Sequence, residues 1–486
     1  MKKILFLLLL LSNNIFATNY YVKPTGSDAS TGTSDAQAWQ SLSKVQTMMG
    51  TFVIGDVVYL KAGGIYKGSL VATKQLTITK YGVGAHPVIS GFSDIISWVD
   101  LGNSLWESAT AVSSLTTCNM VTVNNVQVSM GRFPNSSYTT YNTTGVNTRL
   151  KAANLSETNW TGADAVIRLN RFIATRKKIL SQNVDTINYS ALAVYGPSNN
   201  YGLFIENDVR TLDVTNEWYF NPTTKKITYF SLTSPTNVKA AIVDTLLTIS
   251  SSYITIDSVD FEGSNMATIA RNATSNSYRD LTVSNSTISF SGGNAIDMRQ
   301  RDNLNLAFEN LVINNTNNNG IQAGAGCLNT TVKNVSTYNT GVLIGMIRPD
   351  INFSPFAINV GAKGVVIEKC VVKNSGYVGI ASMGDSVIIQ NNIIDTFSYV
   401  LDDGSGIYFN NGSGNTTTSG IFIRNNIVSN GIGAPLGGGS VNVSYGEGIY
   451  LDDNTNGIEV RGNTVTNCAK DAILLHNSRN CVVVDN

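Results

Sequence analysis

Copies of one short pattern recur through the C-terminal half of the chain, and their spacing leaves little choice of fold. The segments GVVIEKCVVKNSGYVGIAS (364–382), SVIIQNNIIDTFSYVLDDGSGIYFNN (386–411), GIFIRNNIVSN (420–430) continuing to EGIYLDD (447–453), and GIEVRGNTVTNCAKDAILLHN (457–477) each hold three short apolar runs. Weaker copies stand earlier, at 280–298, 305–324 and 331–341. The shortest period is roughly 22 to 25 residues, as in solenoids, and longer copies carry insertions at one turn. Apolar residues alternate within a copy, as in Ile458, Val460, Val465, Ile473 and Leu475, which is the mark of strands with one buried face. A repeat this short has no room for the helix of a βαβ unit. The chain must therefore coil as strand, turn, strand, turn, strand, each coil pairing in parallel on the last. The expected fold is an all-β, right-handed parallel β-helix.

The composition agrees. Charged residues make up only 14% of the chain, and its polarity comes from Gly, Asn, Ser and Thr, which favour turns, between β-branched runs that favour strands. Asn392, Asn426 and Asn463 share one column at the bend between the first two strands. There an asparagine tolerates left-handed backbone angles, and its amide bonds to the asparagines above and below. Lys plus Arg and Asp plus Glu both total 33, so no field draws nucleic acid or an anionic membrane, and a neutral or weakly charged partner fits better. The five cysteines lack metal-ligand spacing and imply no disulfide framework; Cys468 and Cys481 are the one pair that neighbouring coils could bring together.

Met1-Lys2-Lys3, the apolar run Ile4 to Leu11 and the small-residue end at Ala17 have the order of a secretory signal peptide, so residues 1–17 are expected to be removed and the protein secreted. No stretch is long enough for a membrane span, and a soluble monomer is expected. Residues 18–95 then read as an N-terminal cap and first coils, with a capping helix over Ala36 to Met49. Between residues 96 and 240 the short period gives way to an aromatic-rich stretch, read as an inserted β-rich subdomain. It includes a hairpin in which Trp218–Phe220 returns through Asn221-Pro222 to Ile227–Tyr229. Residues 241–486 form the main β-helix, expected to break off before a C-terminal cap.

YYVKPTGSDASTGTSDAQAW (20–39), IGDVVYLKAGGIY (54–66) and LTITKYGVGAHPVISG (76–91) resemble secreted bacterial β-helix proteins of the pectate-lyase-like superfamily. GRFPN (131–135), NEWYFNPTTKKITY (216–229), DDGSGIYFNN (402–411) and GEGIYLDDNTNG (446–457) resemble its glycoside-hydrolase-type members. The resemblance spans essentially the whole mature chain. It implies a carbohydrate polymer as substrate, and it covers hydrolases, lyases and proteins of other roles.

Aligning GIYFNN, GIYLDD and AILLHN turns Ile407, Ile449 and Ile473 inward and Tyr408, Tyr450, Asn410, Asp452 and His476 outward. Glycoside hydrolysis needs one protonated and one ionised carboxyl group. Asp403 and Asp452 are the expected pair, as the hydrolase-type resemblance also implies, with Glu447 as the reserve acid or base. Tyr408, Tyr450, Asn410 and His476 are the expected substrate contacts, and no cofactor is called for. A polysaccharide lyase is the alternative, its calcium held by Asp402, Asp403, Asp452 and Asp453 and its uronate met by Lys or Arg. The cluster contains no basic residue in sequence. Arg424 and Arg461 belong to first strands, and Arg299, Arg301 and Arg348 lie coils away, which ranks hydrolase above lyase. A non-catalytic glycan-binding β-helix is the third reading.

Overall fold

The structure, a computed structural model, describes residues 17–191, 195–272, 277–299, 303–348, 352–411, 418–439 and 443–486. The proposed leader, apart from Ala17, and Arg301 lie outside the described residues.

The repeat winds into a parallel β-helix. One wall is a ten-stranded parallel sheet that runs from Leu70–Ala72 through Ile296–Met298, Ile321–Ala323, Phe356–Val360, Val378–Ser382, Gly404–Phe409 and Gly446–Leu451 to Ile473–Leu475. A twenty-stranded sheet, bent along a corner by the long strands Tyr278–Ser291 and Asn303–Thr316, supplies the other two walls. Alternation holds: Ile421, Ile423, Ile458 and Val460 are buried in one continuous core that also takes in Ile407, Phe409, Ile449 and Leu451. Phe397 and Phe409 fill it without any exposure, as close packing requires.

The asparagine column is buried and continuous. Asn392 Nδ2 donates to Asn426 Oδ1 at 2.9 Å, Asn426 Nδ2 to Asn463 Oδ1 at 2.9 Å, and Asn463 Nδ2 to Asn486 Oδ1 at 2.8 Å. The left-handed residue is the one before each: Asn391 at φ 57°, Asn425 at φ 56° and Gly462 at φ 66°. The ladder asparagines thus serve as hydrogen-bonding plugs for backbone groups freed by the bend, and the strained angle falls one residue earlier than the sequence pattern suggested. Asn426→Ala orphans buried groups on both neighbouring coils and is expected to cost at least about 1–3 kcal/mol, read as a lower urea midpoint. An unchanged midpoint would show that the column is decorative.

The capping helix is shorter than its periodicity predicts, running from Leu42 to Met48 with Leu42 and Val45 buried. Asp28 stops it from beginning earlier: its Oδ1 accepts from the amides of Gln40 and Ser41 at 2.8 and 3.0 Å, holding them extended, and Ser41 Oγ caps Lys44 N at 3.1 Å. All five cysteines are free, and Cys468 and Cys481 lie in different walls: Cys468 pairs with Gly431, while Cys481 precedes the strand stacked on Glu459–Arg461.

After its first coils the chain leaves the solenoid at Phe92–Ile95 and re-enters it beyond Val238–Ala241, strands that pair antiparallel with each other. Between them lie antiparallel sheets, among them the hairpin with Trp218 opposite Tyr229 and Phe220 opposite Ile227. This insert has its own core around Tyr141, Trp160, Ile167 and Ile205. The first coils continue across the excursion, Leu70–Ala72 pairing directly with Leu247–Ile249.

Candidate active site

Three neighbouring strands of the ten-stranded wall carry the site. Ile407, Ile449 and Ile473 are in register, and so are Tyr408, Tyr450 and Leu474. Asp452 receives most of what the three strands offer. Tyr408 Oη donates to its Oδ2 at 2.7 Å, Asn410 Nδ2 approaches the same oxygen at 3.4 Å, and His476 Nδ1 lies 2.7 Å from Oδ1. Burial alone would raise the Asp452 pKa, but the hydrogen bonds from Tyr408 and His476 outweigh it and hold the carboxyl below its ordinary value. The same contact holds His476 above its own ordinary value. Tyr408 and Tyr450 pack edge to face at 5.4 Å, and Tyr450 is buried. Both tyrosines lie outside the solenoid core, as alternation predicts, but only Tyr408 is partly exposed.

Asp403 sits at the entrance of its strand in a left-handed conformation, φ 62°. Its amide donates to Tyr445 O at 2.9 Å, and its carbonyl accepts from Tyr377 Oη at 2.9 Å, so the strained turn is held from both sides. Partial burial, with Asp452 and Asp402 nearby, pushes its carboxyl up to about 6.

Glu447 stands beside Ser405 in the next strand. Simple alternation from Ile449 would turn it into the core. Gly448 breaks that phase: a Cβ there would lie 2.2 Å from Val465 Cγ1, so Gly448 and Ile449 both face inward and Glu447 is freed to turn towards Asp403. Glu447 is fully buried, and neither carboxylate oxygen has a hydrogen-bond partner on another described residue. Burial, then the charge of Asp403, push its pKa up to about 8. A buried carboxyl without partners is costly and seldom structural.

Asp402 points elsewhere. Its carboxylate is fully buried in an ion pair with Arg171 Nη1 and accepts from Tyr445 N at 2.6 Å, while its own amide donates to Arg171 O at 3.0 Å. Arg171 belongs to the insert. The expected calcium set Asp402, Asp403, Asp452 and Asp453 therefore does not converge. Among the described residues, the group whose ligand atoms do lie together is Asp452, Asp453 and His476, with Asp453 exposed. The absence of basic residues also needs correcting. The Arg171 guanidinium lies 4.1 Å from the Tyr445 ring centroid and Lys470 Nζ lies 3.9 Å from it, and both lower the Asp403 pKa. Arg171, Tyr377, Tyr445 and Lys470 were not singled out from the sequence. Arg171 lies 231 residues from its partner Asp402 in an aperiodic segment, and nothing local marks it.

No family model matches the sequence, and neither does any curated protein. Solved structures do match. One described as a glycoside hydrolase is 14% identical, with a TM-score of 0.68 and 96% of each chain covered. XylC in complex with xylose is 12% identical, with a TM-score of 0.48 over 95% of this chain and 70% of that one. The GH136 lacto-N-biosidase from Eubacterium ramulus is 11% identical, with a TM-score of 0.39 over 96% and 68%. The likeness is one of fold. It extends along nearly the whole chain, insert included.

Proposed function

We propose that the protein is a secreted glycoside hydrolase in which Asp403 and Glu447 form the acid/base pair and Asp452 is a fixed anion that orients substrate. The observation that carries this is Glu447, a buried carboxyl with no hydrogen-bond partner on another described residue, beside a second carboxyl whose pKa is displaced less. Environments that push two carboxyls apart divide the acid role from the base role. Between about pH 6 and 8, Glu447 keeps its proton for the leaving glycosidic oxygen, while Asp403 is ionised and attacks the sugar or activates water. Asp452, paired with Asp403 in the sequence reading, has its oxygens engaged by Tyr408, Asn410 and His476, which supports giving its place in the pair to Glu447. Because Glu447 is closed off from solvent, the reading requires that substrate entry uncover it. The whole-length likeness to a structure described as a glycoside hydrolase supports the reaction class, and the pectate-lyase-like resemblance supports secretion and a glycan substrate.

Lys470 keeps a lyase as the second reading, since an ammonium beside Asp403 is the kind of group β-elimination on a uronate needs. Incubation with neutral and uronic-acid polysaccharides separates the two. Hydrolysis releases reducing ends without unsaturated sugars, and elimination releases both. Reducing ends alone are expected; unsaturated products would overturn the proposal, and retention of polymer without cleavage would leave a binding protein.

A further inference from the structure

One face of the insert's central sheet changes character along its length. Strands Asp164–Arg168, Ala174–Asn183 and Tyr201–Glu206 pair antiparallel, with Asp164 opposite Lys178 and Glu206, and Val166 opposite Arg176 and Phe204. Residues opposite one another across a ladder share a face, and so do alternate residues of one strand. At one end of this face Val166, Ala174 and Phe204 are packed in one cluster with Val378, Ala381 and Leu401 of the solenoid. At the other end the same face carries Asp164, Arg176, Lys178 and Glu206. There it opens into a cavity of about 270 Å³ lined by the buried Asp164 and Arg176, by the apolar Met130 and Phe220, and by Thr116 and Lys178, which are exposed and mark its mouth.

Arg176 has no donor left for a ligand. Its Nε and Nη2 meet Asp164 Oδ2 at 2.9 and 2.8 Å, its Nη1 meets Asn119 Oδ1 and Ile347 O at 3.3 and 3.2 Å, and Nη2 also meets Met130 Sδ. Asn207 Nδ2 donates to the same Asp164 Oδ2 at 3.0 Å. Asp164 Oδ1 is in no hydrogen bond among the described residues, and it is not sealed in, for the side chain keeps 8% of its surface open to the cavity. Lys178 Nζ donates to Gly162 O at 2.9 Å and forms no ion pair with Asp164 opposite, which leaves donors to spare. The cavity therefore presents one acceptor and one donor beside apolar surface. Asp164 repels an anion and Lys178 a cation, whereas a hydroxyl-bearing ring satisfies both and lays its C–H face on Met130 and Phe220. The volume lies below the about 300–1,000 Å³ of sites for larger ligands, so one ring is what it admits.

We infer that the insert holds a second, non-catalytic site for one neutral sugar residue, in which Asp164 Oδ1 accepts from one hydroxyl and Lys178 Nζ donates to another. The site is separate from the acid/base cluster. Four residues of strand, about 13 Å, divide Asp164 from Arg168, and it is the Arg168 end that fastens Arg171 and through it Asp402. The inference goes beyond the hydrolase reading and stands whether or not Asp403 and Glu447 are the acid and base.

The test uses the full chain carrying Asp403→Asn. Xylose, glucose, galactose, mannose, N-acetylglucosamine, galacturonate and glycine are titrated in turn, and binding is read by ligand-observed NMR. On this background Thr116→Trp fills the mouth, Lys178→Ala removes the donor, and Tyr408→Ala disables the catalytic wall. Thr116 and Lys178 are exposed, and the melting temperature of each variant checks that the fold is kept. At least one neutral sugar is expected to bind, with affinity about tenfold lower in Lys178→Ala, binding lost in Thr116→Trp, and a component that survives Tyr408→Ala. Binding of none of the neutral sugars, binding of galacturonate or glycine in their place, or binding lost in Tyr408→Ala and kept in Lys178→Ala would overturn the site. Should Thr116→Trp not fold, the Lys178→Ala and Tyr408→Ala comparison decides alone.

Discussion

Asp403→Asn and Glu447→Gln are each expected to reduce turnover by about 10²- to 10⁴-fold, the usual range for removing a positioned acid or base, with glycan binding retained. Both replacements keep shape and remove only the ability to carry the charge or the proton, so a loss of kcat with KM little changed points to the reaction rather than to binding. Asp452→Asn behaves differently. It leaves Tyr408 and His476 without their anion, so its main effect falls on KM and on the orientation of those side chains. Glu447→Gln also carries a signature in stability. The Glu447 pKa is raised in the fold to about 8, so the folded protein holds this proton where the unfolded chain, near 4.5, has released it. Stability from this group therefore falls as pH rises from about 4.5 to about 8, and the cost is complete above that. Glutamine has no proton to lose. The variant is expected to melt above wild type at alkaline pH, with the difference fading at acid pH. An inactive variant that is the more stable one is what a carboxyl retained for chemistry predicts.

Arg171→Ala is expected to cost about 3–5 kcal/mol, because it strands the fully buried Asp402 carboxylate without its counter-charge. The same change unties the insert from the turn that holds Asp403. Arg171 grips Asp402 through side chain and backbone, and Arg168, itself fully buried, fastens Arg171 O at 2.7 Å and the carbonyls of Ala434 and Leu436 at 2.6 Å. Asp403, one residue on, is in a left-handed conformation that asparagine or glycine would adopt more readily. Losing the anchor should therefore lower kcat beyond any change in folded fraction. Arg171→Ala combined with Asp402→Asn removes the stranded charge and should recover much of the stability, measured by urea unfolding, without recovering kcat. Recovery of both would mean that the insert stabilises the site without positioning it.

The parts of this molecule that repeat were legible in its sequence residue by residue, whereas of the parts that occur once only outlines such as the Trp218–Phe220 hairpin were. Column residues such as Asn426 or Ile449 are specified by neighbours one coil away, so stacking the copies exposes them. That same stacking brought Asp452, Asn410 and His476 together, and the structure finds them in contact. Alternation failed where the strand departs from it. Gly448 shifts the phase of its strand, so Glu447 could not be placed from Ile449, and the packing of Tyr450 behind Tyr408 depends on ring geometry that a register does not carry. Arg171 and Tyr377 were invisible for another reason. Their roles arise from a tertiary contact between the aperiodic insert and one turn, and from a phenol reaching a carbonyl 26 residues on. Asp402 and Asp403, adjacent in sequence, are split between an ion pair with Arg171 and the group of carboxyls that Asp403 shares with Asp452 and Glu447.

The most direct measurement is the pH dependence of kcat/KM on whichever polysaccharide the wild type cleaves. The assignment predicts a bell whose acid limb, near 6, reports Asp403 and whose alkaline limb, near 8, reports Glu447, with the apparent values belonging to the coupled pair. In Glu447→Gln the residual activity should lose its alkaline limb. Activity confined below pH 6, with an acid limb set by Asp452, would contradict it and restore the pair Asp403 and Asp452, with Asp403 as the acid.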